Sequence, residues 1–210
     1  MGEARRKRLT GQPGGDGAAQ LQVKKEWPTF VIIRHGVAPI NADYVKNFCM
    51  QVDANSSAVE VKCAPVKGDL KDCFPLVEKQ VQNSGGSLVL GWAIWEIVGQ
   101  MIEAELHAVW RSAEGDLIDI SPRERRFNSI TFLPDTKGLD FSRQVDNIRH
   151  PLTADPRIHK FIELHRQRFA LFNEGDLADK MGVVELSPQA ARELYLIERE
   201  LDSLPFLAVE

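Results

Sequence analysis

The spacing of hydrophobic and polar positions changes along this chain, and the changes mark its elements. From Ile102 to Arg111 the two kinds alternate: Ala104, Leu106, Ala108 and Trp110 fall on one face, and Glu103, Glu105, His107 and Val109 on the other. That is the period of a β-strand. The same texture predicts strands at Leu88–Glu96 and Asp116–Ile120, joined through Gly99 and through Ser112–Gly115, with Phe127–Phe132 as a further strand. Upstream, the β-branched and aromatic run Trp27–Arg34 predicts a strand that turns at His35-Gly36, and Ala58–Lys62 a short strand ending before Ala64-Pro65. Helical spacing appears at Asn41–Met50 and at Cys73–Gln82, where Phe74, Val77 and Val81 repeat at i, i+3 and i+7. Asp72 suits an N-cap there, Pro75 fits the first turn, and Gly85-Gly86 ends the helix. Two more helix starts are alike, because Asp155-Pro156 and Ser187-Pro188 each set a capping side chain before a proline. Ile158, Phe161, Ile162, His165, Phe169 and Phe172 form the apolar stripe of one, with His165 read as a core histidine. Ala190, Leu194, Ile197, Leu201 and Leu204 form that of the other. Asp135–Leu152 reads mostly as loop.

These elements predict an α+β fold in which a helix precedes an antiparallel sheet meander and two amphipathic helices close the chain. Residues 1–22, with five glycines and a basic run at Arg5–Arg8, read as a disordered tail. Residues 23–135 read as the α+β core domain, and 136–210 as a helical extension packed on it. At 210 residues, 43% hydrophobic and 27% charged, the chain has the composition of a folded globular protein. Its longest apolar stretches fall short of the ~18 residues of a membrane span. The charged N-terminus lacks the apolar run of a secretory signal, so a cytoplasmic location is expected. Cys49, Cys63 and Cys73 are odd in number, so at least one thiol is free. The net charge of −4 divides unevenly, with +4 in residues 1–25 and −8 in the rest. A broad nucleic-acid surface on the body is thereby disfavoured, leaving at most weak phosphate contact by the tail.

Walker-type glycine loops, Cys-x-x-Cys pairs, His-Glu-x-x-His and Gly-x-Ser-x-Gly elbows are absent from the sequence. What remains is an ordered set: Cys73 at a helix start, His107 within a strand, and Asp119 in the next strand. A thiol in the first turn of a helix gains from the positive end of the helix dipole. An imidazole beside it can take its proton, and a carboxylate on the far ring nitrogen fixes the tautomer. Neighbouring backbone N–H groups can hold an oxyanion. Since Ala104, Leu106, Ala108 and Trp110 make the core face, His107 is expected to point away from the core or into a cleft. Asp119 joins it only if the hairpin loop is Ala113-Glu114-Gly115, which sets Asp119 opposite Val109. A loop of two or four residues turns Asp119 to the other face. Trp92 and Trp95, with Trp110 nearby, read as core packing or as a substrate-lining wall, and Glu105 joins Trp92 and Trp95 as an expected substrate-binding residue.

The order Cys73, His107, Asp119 resembles that of the papain-like thiol hydrolases, including the NlpC/P60 and transglutaminase-like branches. Glu103–Pro122 is similar to the His strand, hairpin and Asp strand of the transglutaminase type. The resemblance implies a cysteine-nucleophile hydrolase or acyl-transferase acting on an amide or thioester, with Cys73, His107 and Asp119 as its catalytic residues and no cofactor. Two further readings stand beside it. One is a non-enzymatic binding or regulatory protein that docks a partner on the tryptophan-rich sheet and the C-terminal helices. The other is a metal-binding protein using Glu103, Glu105 and His107, which share one strand face.

Overall fold

A computed structural model of the chain describes residues 21–24, 35–68, 73–139, 143–180 and 182–204. In chain order these form β1 (Leu21–Lys24), β2 (His35–Val37), α1 (Asp43–Val52), β3 (Val59–Cys63), α2 (Cys73–Ser84), β4 (Ser87–Ile97), β5 (Met101–Arg111), β6 (Leu117–Asp119), β7 (Ser129–Pro134), β8 (Ile148–Pro151), α3 (Pro156–Phe172), a 3-10 turn at Gly175–Asp179, β9 (Val183–Leu186) and α4 (Pro188–Ser203). The strand expected at Trp27–Arg34, most of the expected tail and the cap at Asp72 lie outside the described residues. His35-Gly36, read as a turn, begins β2, while Leu21 and Gln22, read as tail, belong to β1, which pairs with β9.

β4 and β5 make one long hairpin, in register from Ser87↔Arg111 to Ile97↔Met101, with Gly99 left-handed (φ 71°) in its loop. The sheet around it is not the simple meander expected. β5 pairs with β6, β6 runs parallel to β3, β3 pairs with β7, and β7 returns to β4, so five strands close into a barrel. Alternation specifies strands and faces, but it carries no information on the parallel β3–β6 pairing that closes this circuit. At the hairpin's turn end β2 continues along β4, and β8, within the stretch read mostly as loop, continues along β5.

Closure gives β4 and β5 two covered faces. Inside lie Val61, Ala93, Trp95, Val109, Ile130 and Phe132. Outside, α1 packs Val45, Phe48, Cys49 and Val52 against Trp92, Ile94, Ile102 and Ala104. α2 packs Cys73 and Val77 against Ala108 and Ile120. Gly91, opposite His107, has a packing reason: a Cβ there would stand 2.3 Å from the Leu133 carbonyl oxygen and 2.6 Å from the Phe132 ring.

The C-terminal helices begin as their sequence predicts. The Asp155 side chain accepts from the Arg157 N–H and that of Ser187 from the Ala190 N–H, each with proline at the first turn. Their apolar stripes meet each other and the tip of the β4–β5 hairpin through Ile158, Phe161, Leu164, Ile197, Ile97 and Met101. The stripes are therefore spent on packing, and Tyr195 and Leu196 remain exposed on α4. His165 is buried edge-on to Phe161, 4.3 Å between centroids. Burial, helped by the charges of Arg149 and Arg168, pushes it down to about 3, so it stays neutral. Among the described residues no helix is long and apolar enough to cross a membrane.

Candidate active site

The loop between β5 and β6 has three residues. The Ser112 N–H donates to the Asp116 carbonyl (2.9 Å), and Gly115 takes the left-handed conformation (φ 99°) that closes such a loop. The register Trp110↔Ile118 and Arg111↔Leu117 then carries Asp119 to the level of Val109, on the same face as His107. The two meet inside the barrel, with His107 Nε2 3.1 Å from Asp119 Oδ1. His107 is 4% exposed and Asp119 fully buried. His107 is thus not directed away from the core: in a closed barrel the face opposite the first core becomes a second interior.

β5 is also left open where it matters. On its β6 edge, pairing with β6 covers Trp110 and Arg111 and pairing with β8 covers Met101–Ala104, so no described strand pairs with 105–109 on that edge. β6 departs because its chain follows β3: the Ala64 N–H bonds the Asp119 carbonyl and the Val66 N–H that of Ile120. Beside this gap α2 begins with Cys73, which is buried against Ala108 and Ile120 and lies close enough to the His107 ring to help raise its pKa. The structure therefore brings Cys73, His107 and Asp119 together.

Asp119 is saturated. Oδ1 accepts from His107 and from the Ser121 N–H (3.1 Å). Oδ2 accepts from Arg123 Nη1 and from the Cys63 thiol (3.7 Å). Burial alone would raise its pKa. His107, Arg123 and the Ser121 N–H outweigh that and hold the carboxyl well below its ordinary range. A carboxylate fixed in its ionised form can only accept, so Nε2 carries a proton and donates to it. Nδ1 is then the ring nitrogen left for the thiol. Burial works to lower the His107 pKa, but the hydrogen bond His107 donates to Asp119 and the proximity of Cys73, with their charges, raise it to about 9. The Cys63 thiol is pushed up to about 11, first by burial and then by the neighbouring Asp119 charge.

Arg123, unremarked in the sequence, holds this cluster from the solvent side. Its Nη2 stands 3.3 Å from His107 Nε2, and its guanidinium stacks 5.0 Å over the Trp95 ring. The signal was its place four residues after Asp119, beyond a Ser121-Pro122 turn that folds the chain back. Cys63 has none but its parity on β3, which faces the barrel interior.

The expected substrate wall is divided. Trp92 is 4% exposed and lies on the other face of β4, under α1. Trp110 lies against α2 and donates to the Gly85 carbonyl (2.9 Å). Trp95 faces inward, is 3% exposed, and donates to Glu105 Oε2 (2.8 Å). Residues an odd number apart on one strand cannot share a face, so no single aromatic patch forms. Of the three residues with metal-ligand chemistry, Glu103 pairs with Arg149 (2.7 Å), Glu105 with Trp95 and His107 with Asp119. Among the described residues no group of three His, Cys, Asp or Glu side chains is placed to hold a metal ion.

Comparison with protein-family models, curated proteins and solved structures finds no match.

Proposed function

We propose that this chain is a thiol hydrolase or acyl-transferase with Cys73 as nucleophile, His107 as proton carrier and Asp119 as the group that orients His107. The observation that carries the reading is the His107 ring, held between a buried carboxylate and a thiol at a helix start. His107, raised to about 9, is an imidazolium near pH 7 that holds the Cys73 proton on Nδ1, and the thiolate of this ion pair attacks the carbonyl carbon of an amide or thioester. The carbon–sulfur bond forms as the carbonyl π electrons move to oxygen. The positive end of the α2 dipole, where Cys73 lies, suits that oxyanion. Collapse of the tetrahedral species breaks the bond to the amine or thiol, which leaves with the proton from His107. Water or a second nucleophile then gives its proton to His107, attacks the acyl-thioester, and expels the Cys73 thiolate, which restores the ion pair. Asp119 remains ionised throughout and stabilises the imidazolium. Mixing the protein with p-nitrophenyl acetate tests this. The expected result is a stoichiometric burst of p-nitrophenol with the acetyl group on Cys73, lost in Cys73→Ala and slowed about 100-fold or more in His107→Ala. Acetylation spread evenly over the three cysteines would contradict it.

A further inference from the structure

Beside Arg123 a cleft of about 490 Å³ opens between the end of β3 and the segment leading into β7. Cys63 lies in its lining, Phe127 forms an aromatic side, and Lys67, Arg125 and Arg126 supply cations beside Arg123, whose charge Asp119 offsets. No described residue lining it carries a carboxylate, although the chain as a whole has a net charge of −4. The cleft is therefore an island of positive potential on an acidic protein, and clefts focus such fields. Guanidinium groups match carboxylates with paired hydrogen bonds. The Arg123 guanidinium, which neutralises Asp119, makes the cleft continuous with the site, at the side of the His107 ring away from Cys73.

We infer that this cleft binds the acidic side chains of a peptide substrate whose carbonyl is presented to Cys73. This deepens the thiol-hydrolase reading and rests on it for the position of the carbonyl. A peptide fits the charge better than a nucleic acid does. The cations are local, and residues 26–210 carry −8, which would repel a long phosphate backbone.

The test is equilibrium binding to the Cys73→Ala protein, which cannot turn a substrate over, read by fluorescence anisotropy. The probes are a fluorescein-labelled Glu-rich hexapeptide, its Gln counterpart and a labelled oligouridylate, with inorganic phosphate as competitor. The acidic peptide is expected to bind about tenfold or more tighter than the Gln peptide. It is expected to lose about tenfold in Arg126→Ser and in Lys67→Ser, with unchanged thermal unfolding. Equal affinity for both peptides, no loss in the variants, or a preference for oligouridylate or phosphate would overturn the inference. Because binding is read without the thiol, acetylation of Cys73 with no acidic-peptide binding overturns the cleft alone. Binding without acetylation overturns the chemistry alone.

Discussion

Asp119 has donors on both oxygens from four directions: the β5 imidazole, the Ser121 backbone, the Arg123 guanidinium and the Cys63 thiol. Replacing it by Asn leaves Arg123 without its counter-charge in a largely buried setting. The expected loss is about 3 kcal/mol or more in urea unfolding, because breaking a buried pair strands the other charge. The His107 pKa should fall in the same variant, measurable by NMR titration, since Asp119 is a main support of its elevation. Strand parity made it legible that Asp119 shares a face with His107 if the hairpin loop has three residues, and helical spacing that Cys73 opens a helix, but neither showed that this face lies inside a barrel. Arg123 and Cys63 were not legible. What joins them to Asp119 is a turn and a parallel strand pairing, neither of which leaves a periodic trace.

The β5–β6 hairpin depends on a loop of defined length. Removing Glu114 would shift the register by one and turn Asp119 out of the barrel. The expected outcome is loss of the p-nitrophenyl acetate burst and exposure of Asp119, with β4 and β5 still paired by their own three-residue loop. Gly91 is the corresponding point of β4. Alanine there is expected to destabilise the protein by about 1–3 kcal/mol in urea unfolding, because the Cβ meets a backbone oxygen that cannot turn aside. Loss below 0.5 kcal/mol, about the noise of surface substitutions, would contradict this packing account. The alternation of β4 and β5 and the Asp-Pro and Ser-Pro starts of α3 and α4 made those elements legible nearly to the residue. The Ile148–Pro151 strand was hidden because four residues of IRHP, with a proline and two charged or polar groups, show no alternation.

Barrel closure is the property of the whole molecule that the sequence concealed, and it changes what His107 is: an interior imidazole rather than a group on an open face. Its pKa, raised from the ordinary 6.5 to about 9, means that the folded state binds its proton more tightly than the unfolded state. The stability so gained is fully present below about pH 6.5 and is lost as pH rises through about 9. The difference in urea midpoint between the wild type and His107→Gln should shrink over that window, and a difference that grew with pH would contradict the assignment. Asp119 acts with the opposite sign, its contribution being present above the ordinary carboxylate range and lost only in strong acid. The central claim is that the fold couples the Cys73 thiol to that imidazole. It is tested most directly by the rate of iodoacetamide labelling at each cysteine near pH 7, read by mass spectrometry in the wild type and in His107→Gln. The account predicts that Cys73 reacts faster than Cys49 and Cys63, and that the advantage disappears in His107→Gln. Labelling of Cys73 no faster than the other two would contradict it.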